Sequence, residues 1–172
     1  MIFCVSNENE ERFDFDICEL AGDVGNAAIL KGIKIPESAM PRKEFLVNLM
    51  LTDDSGIQKI NADTRGIDAS TDVLSFPAFS FETPGLFMQE AMDALEVQDL
   101  ETGNTWLGDV IISADHVRSQ SAEYGHGEKR EFAFLLTHAM FHLMGYDHET
   151  KEEAAFMEKL QESVLESLRI TR

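Results

Sequence analysis

The sequence predicts a single α+β domain in which a small mixed sheet of about four strands has helices packed on it. Three observations lead to this prediction. The chain has 172 residues, a length for which one domain is the ordinary expectation. Strand patterns lie mostly in its first two thirds and helical patterns dominate its last third, an order typical of α+β proteins. Apolar residues make up 44% of the chain, enough for a packed core without disulfide bonds.

The first half of the chain alternates strands with helices. Apolar runs or alternating apolar positions indicate the strands, and apolar residues at helical spacing indicate the helices. The predicted elements are a strand at residues 1–5, a helix at 13–33, a strand within 43–53, a turn at 53–56 with a short helix through Ile60, and a strand at 72–76.

An acidic segment precedes the last strand. Residues 82–101 contain six acidic side chains and no basic one, and Pro84 and Gly85 lie near their start. This composition predicts an exposed acidic loop or a small helix. Because a segment of one charge attracts a partner of the other, it is also a candidate docking surface for a basic protein. A strand at residues 107–113 is predicted to follow.

The remainder of the chain is predicted to be helical, and its helix ends carry capping residues. Ser113 can cap a helix that Gly125 ends, and Thr150 with Glu153 forms a capping-box pattern. The predicted helices run to about Tyr124, over residues 128–144, and after Thr150, where an apolar stripe comprises Ala154, Met157, Leu160, Val164, Leu165 and Leu168.

Charge and hydropathy narrow the class of protein. The 32 acidic and 14 basic residues give a net charge of −18, which repels nucleic acid over most of the surface and by itself favours a protein or small-molecule partner. The longest apolar runs have five residues, whereas a membrane-spanning helix needs about 20, and the first residues lack the pattern of a secretory signal. Cys4 and Cys18 have no metal-binding spacing and are expected to be reduced, partly buried thiols. We therefore expect a cytoplasmic protein with no membrane partner.

Three of the five histidines lie within residues 138–148. His138 and His142 are four residues apart and therefore share one face of a helix. That helix, FAFLLTHAMFHLM, is apolar on nearly all sides, which indicates that it is buried. A buried imidazole without a partner costs about 1–3 kcal/mol, and a shared metal ion satisfies two of them at once.

The third histidine completes a candidate metal site. Gly145 is placed to end the helix in a left-handed conformation, after which the chain delivers His148. Three neutral imidazoles with an open fourth position suit a catalytic zinc ion. We therefore predict a metal site on the buried helix, with one Zn²⁺ per chain held by His138, His142 and His148. The alternative is that the three histidines pack independently.

The same spacing occurs in metzincin proteases, whose pattern is H-E-x-x-H-x-x-G-x-x-H. The segment matches the three histidines and the glycine, but Ala139 stands at the position of the glutamate. That glutamate activates water in those proteases, so peptide hydrolysis by their route is not expected. The other two histidines, His116 and His126, are expected to be ordinary surface residues.

The segment HAMFHLMGYDH at residues 138–148 resembles the signature H-G-x-L-H-L-x-G-Y-D-H of the YbeY family of bacterial rRNA maturation factors. Ala139 and Phe141 replace its Gly and Leu. A second block, INADTRGIDASTDVLSFP at residues 60–77, is similar to the family's L-N-x-x-Y-R-x-x-D-x-P-T-D-V-L-S-F-P. A third, GDVIIS at residues 108–113, resembles G-D-I-x-I-S.

The resemblance implies one α+β metal-dependent hydrolase domain over residues 1–172, with zinc on the three histidines. It implies an endoribonuclease that cleaves single-stranded RNA in the maturation of the small-subunit rRNA 3′ end and in ribosome quality control. Ribosomal or ribosome-assembly proteins are the further partners that it suggests. Arg65 matches the family's arginine and is expected to be catalytic, because a guanidinium grips phosphate with two hydrogen bonds.

The residues alone leave alternatives open. Arg65 could instead form a surface ion pair with Asp63 or Asp68. The protein could be a metallohydrolase of another substrate, or a non-catalytic ribosome assembly factor with a structural zinc. Asp147 either supports the metal site or stabilises its turn, and Asp109 is either a strand-edge carboxylate or part of the cleft.

The net charge must also be reconciled with an RNA substrate. One solution is a local positive cleft near Arg65, Lys129 and Arg130, with acidic residues elsewhere. The other is delivery of the enzyme to RNA by a basic ribosomal or assembly protein, which would dock on residues 82–101.

Overall fold

A computed structural model describes residues 1–34 and 44–171. Its strands form one sheet in the order β1-β2-β4-β3. β1, β2 and β4 run parallel, and β3 pairs antiparallel with β4 at one edge. The predicted mixed sheet of four strands is confirmed. The strands are β1 (Ile2–Asn7), β2 (Phe45–Thr52), β3 (Val73–Pro77) and β4 (Thr105–Ser113). The predicted second strand began at Lys43, which lies outside the described residues.

Six helices accompany the sheet within the described part of the chain. They are α1 (Ile17–Gly32), α2 (Asp54–Arg65), the single turn α3 (Gln89–Met92), α4 (Ala114–Tyr124), α5 (Glu128–Leu143) and α6 (Lys151–Ser167). α1 and α5 share the main apolar core with one face of the sheet, and α6 packs on both of them. Ile57 of α2 packs against Leu74 and Ile111, so α2 covers the opposite face. The predicted α+β class is confirmed.

The helix ends follow the predicted capping chemistry. Ser113 accepts a hydrogen bond from the His116 amide at the start of α4, and Gly125 ends that helix in the left-handed conformation. At the start of α6, Thr150 and Glu153 form both hydrogen bonds of a capping box. These bonds satisfy amide groups that an uncapped helix would leave without partners.

The prediction for α2 was wrong at both ends. The predicted turn at residues 53–56 is the first turn of the helix, because the Asp53 carboxylate accepts a hydrogen bond from the Gly56 amide and caps it. The helix also continues past Ile60 to Arg65, where Gly66 adopts φ +71° and ends it. Arg65 is therefore the last residue of α2.

The acidic segment 82–101 is only partly an exposed loop. Phe87, Met92 and Val97 are buried in the main core, which anchors α3 and the short 3-10 turn at Leu95–Val97. Leu95 and Leu100 are 76% and 83% exposed between the acidic side chains. The segment therefore combines an anchored inner side with an apolar and acidic outer side.

Two further expectations are corrected. Cys4 and Cys18 are free thiols as expected, but both are exposed rather than partly buried. His116 and His126 are not ordinary surface residues: Nδ1 of His116 lies 2.6 Å from Asp54, and the His126 side chain is buried with its Nε2 3.0 Å from Glu131. The contact with an acidic side chain replaces hydrogen bonds to water and so compensates for the partial burial of each imidazole.

Among residues 1–34 and 44–171, every helix is too short or too polar to cross a membrane.

Candidate metal centre

Helix α5 places two imidazoles together because its other sides are held in the core. Ala139, Met140 and Phe141 are each at most 1% exposed, which fixes the rotation of the helix about its axis. His138 and His142, one turn apart, then face the same way. Their Nε2 atoms lie 3.0 Å apart.

The turn after α5 positions the third histidine. Gly145 has φ +79°, and a Cβ at this position would lie 2.5 Å from the Phe81 ring. The next residue, Tyr146, is buried and donates a hydrogen bond of 2.7 Å from its hydroxyl to the Gly32 carbonyl at the end of α1. The turn is thus tied to the core just before it delivers His148.

The three predicted ligands are brought together. One ring nitrogen from each of His138, His142 and His148 lies within 4.8 Å of the others, and among the described residues these three form the whole group. The helix histidines are half-buried and His148 is exposed. Independent packing of the three imidazoles is therefore wrong.

His138 is held from behind. Its Nδ1 lies 2.8 Å from the side-chain amide of Gln161 on α6. Metal-binding histidines ordinarily have such a partner on the nitrogen that does not bind the metal.

Burial keeps these imidazoles neutral near pH 7. Burial and then repulsion from His142 and His148 lower the pKa of His138 from 6.5 to about 4. Burial, followed by His148, also lowers the pKa of His142. A neutral imidazole has a free lone pair, which is what a metal ligand requires.

The cluster fits a zinc-like ion. Two nitrogens bound to one tetrahedral ion at about 2.0–2.1 Å are about 3.3 Å apart, close to the 3.0 Å between the Nε2 atoms of His138 and His142. Imidazole is a ligand that suits zinc and several other transition metals.

Arg65 lies against the edge strand β3. Its guanidinium donates a hydrogen bond of 3.3 Å to the Ser75 carbonyl and lies over the Phe76 ring. Asp72 and Ala78 make the hydrogen bonds to β4 on either side of Ser75, so alternation along β3 turns the Ser75 carbonyl outward. The positive charge of Arg65 is a minor cause of the lowered pKa of His142, after burial and His148.

The alternative ion pairs of Arg65 do not occur in the structure. The Asp68 carboxylate accepts a hydrogen bond from Gln58 instead, and the polar contact of the guanidinium is with backbone at Ser75. The Arg65 guanidinium is therefore paired with no carboxylate in the described part of the chain.

A cavity of about 370 Å³ opens beside His138 and His148. Arg130 lines it, and its buried Nε has no hydrogen-bond partner within the described residues. The carboxylates of Asp72, Glu158 and Glu162 line it as well. Lys129 is exposed and is not part of this lining. The expected positive cleft is therefore wrong for this cavity, because three carboxylates outnumber one guanidinium.

The two undecided aspartates have separate places. Asp147 accepts a hydrogen bond from the His148 amide at 2.8 Å, the contact expected of a turn residue, and its charge also acts on His138 and His142, where it opposes the lowering of their pKa. Asp109 accepts from Asn48 and Trp106 in a second cavity, which the three clustered histidines do not line. Asp109 is a strand carboxylate away from the cluster.

Sequence reasoning missed Gln161. It is 5% exposed and shares the buried face of α6 with Met157, Val164 and Leu165. A polar residue on an otherwise apolar stripe was the available signal, because a buried amide needs a partner.

Comparison with known proteins decides the family. The sequence profile described as Endoribonuclease YbeY matches residues 7–169. The chain belongs to the YbeY family. An Endoribonuclease YbeY of Agathobacter rectalis is 48% identical over 172 residues and covers 100% of both chains. One of Lachnospira eligens is 40% identical over 176 residues, again with 100% of both chains covered.

The fold also has a counterpart among solved structures. The solution structure of TM1509 from Thermotoga maritima is similar with a TM-score of 0.52 and 22% identity, covering 98% of this chain and 92% of that one. This likeness concerns the fold alone. The resemblance inferred from the HAMFHLMGYDH block is confirmed by the match to the YbeY family.

Proposed function

We propose that the protein is a zinc-dependent endoribonuclease that cleaves single-stranded RNA. The observation that carries the proposal is the convergence of His138, His142 and His148. We assign phosphate binding to Arg65, whose guanidinium is paired with no carboxylate in the described part of the chain. Relatives that match the full chain carry the name Endoribonuclease YbeY, which supports a phosphodiester substrate.

The three histidines and Arg65 have different roles in the proposed reaction. A bound zinc supplies a Lewis acid that activates water at neutral pH and polarises a phosphoryl oxygen. The three imidazoles hold it, and two of them are kept neutral by burial. Arg65 binds a non-bridging phosphate oxygen and stabilises the negative charge that grows on it.

The residues disfavour a protease-like route. Ala139 stands at the position of the protease glutamate and is buried in the core, so no carboxylate is available there to activate water. Activation of water by the metal requires no carboxylate base.

The group of three histidines favours an enzyme over a structural zinc site. Structural sites are ordinarily closed by four protein ligands, whereas catalytic sites keep one position for water or substrate. Among the described residues the cluster offers three ligands. A non-catalytic assembly factor with a structural zinc is therefore the weaker candidate.

Maturation of the small-subunit rRNA 3′ end in the cytoplasm is the cellular role that we propose, together with ribosome quality control. The net charge of −18 argues for help from a basic ribosomal or assembly protein. The exposed Leu95 and Leu100, set among acidic residues 82–101, suit such a partner, because apolar contacts supply affinity and complementary charge guides encounter.

One experiment separates the candidate functions. Purified protein is stripped with a chelator, reloaded with zinc, and given a single-stranded RNA, its duplex and an unstructured peptide. We expect cleavage of the single strand only, loss on stripping and recovery on reloading. Zinc-loaded protein that cleaves no RNA would favour the assembly factor, and cleavage of the peptide would favour another hydrolase.

A further inference from the structure

The side-chain amide of Gln161 is the closest polar group behind His138. Its nitrogen lies 2.8 Å from Nδ1 of His138, while Nε2 of the same ring points toward His142 at 3.0 Å. The two ring nitrogens of His138 therefore have different environments. One faces the metal centre, and the other faces α6.

Metal binding fixes the proton on this ring. A ring nitrogen that binds a metal gives up its proton, so Nδ1 of His138 must carry the remaining one and needs an acceptor. Rotating the Gln161 amide by 180° about its last bond exchanges its oxygen and nitrogen without moving the rest of the side chain. The amide oxygen then accepts from Nδ1 at the same contact.

The contact with His138 explains why a glutamine stands at this buried position. The residue is 5% exposed on a helix face that otherwise packs apolar side chains. A buried amide without a partner destabilises the fold, and His138 is the hydrogen-bond partner that the structure gives it. A leucine or methionine would fill the same place in the core without that requirement.

We propose that Gln161 is a positioning residue that orients His138 for metal binding and holds the proton on its Nδ1. The inference rests on the metal binding of the proposed function and extends it to α6. Gln161 touches neither the metal nor RNA in this role. It acts through the imidazole that it supports.

The first test measures zinc affinity by competition with a chromogenic chelator, without RNA. The variants are Gln161→Met, which removes the acceptor, Gln161→Glu, which keeps one, and the control Gln98→Met. Gln98 is a half-buried glutamine that hydrogen-bonds Met92 and Thr105. We expect Gln161→Met to weaken zinc binding by about 10–100-fold, and the other two variants to retain it.

The outcomes separate this inference from the proposed function. Equal zinc affinity of wild type and a folded Gln161→Met overturns the inference and leaves the proposed function standing. If the wild type binds zinc but cleaves no RNA, and Gln161→Met binds zinc more weakly, the proposed endoribonuclease function is overturned and the inference stands. Absence of zinc binding by the wild type overturns both.

A second test needs no variant and covers the case in which Gln161→Met fails to fold. In the zinc-loaded wild type, ¹⁵N-histidine NMR is expected to show a proton on Nδ1 of His138 that exchanges slowly with water. A proton on Nε2 of His138 would overturn the inference. If Gln161→Met folds, the same proton should exchange faster in it than in Gln98→Met, because its acceptor is lost while the methionine still fills the place of the glutamine.

Discussion

The Nε2 atoms of His138 and His142 lie 3.0 Å apart, at hydrogen-bond distance between two groups of the same kind. Only one of the two nitrogens can carry the hydrogen of such a bond, because the other must accept it. A metal ion bound to both replaces that hydrogen. Metal binding and protonation therefore compete at this pair.

The metal-free protein is expected to lose stability as the pH falls from 7 to 5. The pKa of His138 is about 4 in the folded protein, compared with 6.5 in the unfolded chain. Between pH 7 and 5 the unfolded chain therefore binds a proton that the folded chain does not. The free energy of unfolding then falls with pH, by about 2 kcal/mol for this residue. The lowered pKa of His142 acts in the same direction.

Urea unfolding in the presence of a chelator measures this effect. His138→Asn removes the titrating ring and should flatten the dependence of stability on pH. An equally steep dependence in His138→Asn would show that other groups cause it.

Removal of the exposed ligand His148 is expected to abolish tight zinc binding and leave the fold intact. Its side chain is exposed, so His148→Ala should barely change the melting temperature of the metal-free protein. Loss of a hydrogen-bond partner of a metal ligand typically weakens metal binding by about 10–100-fold. Loss of the ligand itself should weaken zinc binding by more than this. Calorimetric titration with zinc measures it, and His116→Ala, which lies outside the cluster, serves as control.

Arg65→Ala is expected to retain zinc and fold but to lose about 10²–10³ in RNA cleavage rate, the usual cost of removing one group that stabilises transition-state charge. Arg65→Lys should recover only part of the rate, since an ammonium group keeps the charge and loses the planar fork. Zinc content, melting temperature and single-turnover cleavage are compared in the three proteins. Cleavage by Arg65→Ala at the wild-type rate would refute the catalytic assignment.

Ala139→Glu is expected to destabilise the protein rather than create a protease. Ala139 is 1% exposed within the core, and an unpaired carboxylate buried there should cost about 3 kcal/mol or more. The exposed Ala155 on α6 provides the control Ala155→Glu, which should change stability by less than about 0.5 kcal/mol. Chelator-sensitive peptide cleavage by Ala139→Glu would show that position 139 faces the metal after all.

The part of the site that could be predicted is the part that is local in the chain. His138 and His142 are one helical turn apart, so their spacing in the sequence determines that they lie close together. Gly145 likewise marks the end of the helix in the sequence. The caps at Ser113 and Thr150 are predictable for the same reason. Each depends on residues three positions apart.

The part that could not be predicted depends on packing between distant segments. Gln161 meets His138 only because α6 folds back on α5. Arg65 lies against β3 because β3 is an edge strand, whose outward carbonyl at Ser75 accepts a hydrogen bond from the guanidinium. The burial of His126 likewise depends on Glu131, a carboxylate that composition alone would place at the surface.

The three histidines all lie within residues 138–148, whereas Arg65 ends α2, which packs on the opposite face of the sheet. The histidines are held by α1, α5 and α6, and the place of Arg65 depends on β3 and α2. Two separate parts of the fold therefore supply the two parts of the proposed site. Under the proposed function, a variant that loosens β3 or α2 would lose RNA cleavage while it still binds metal.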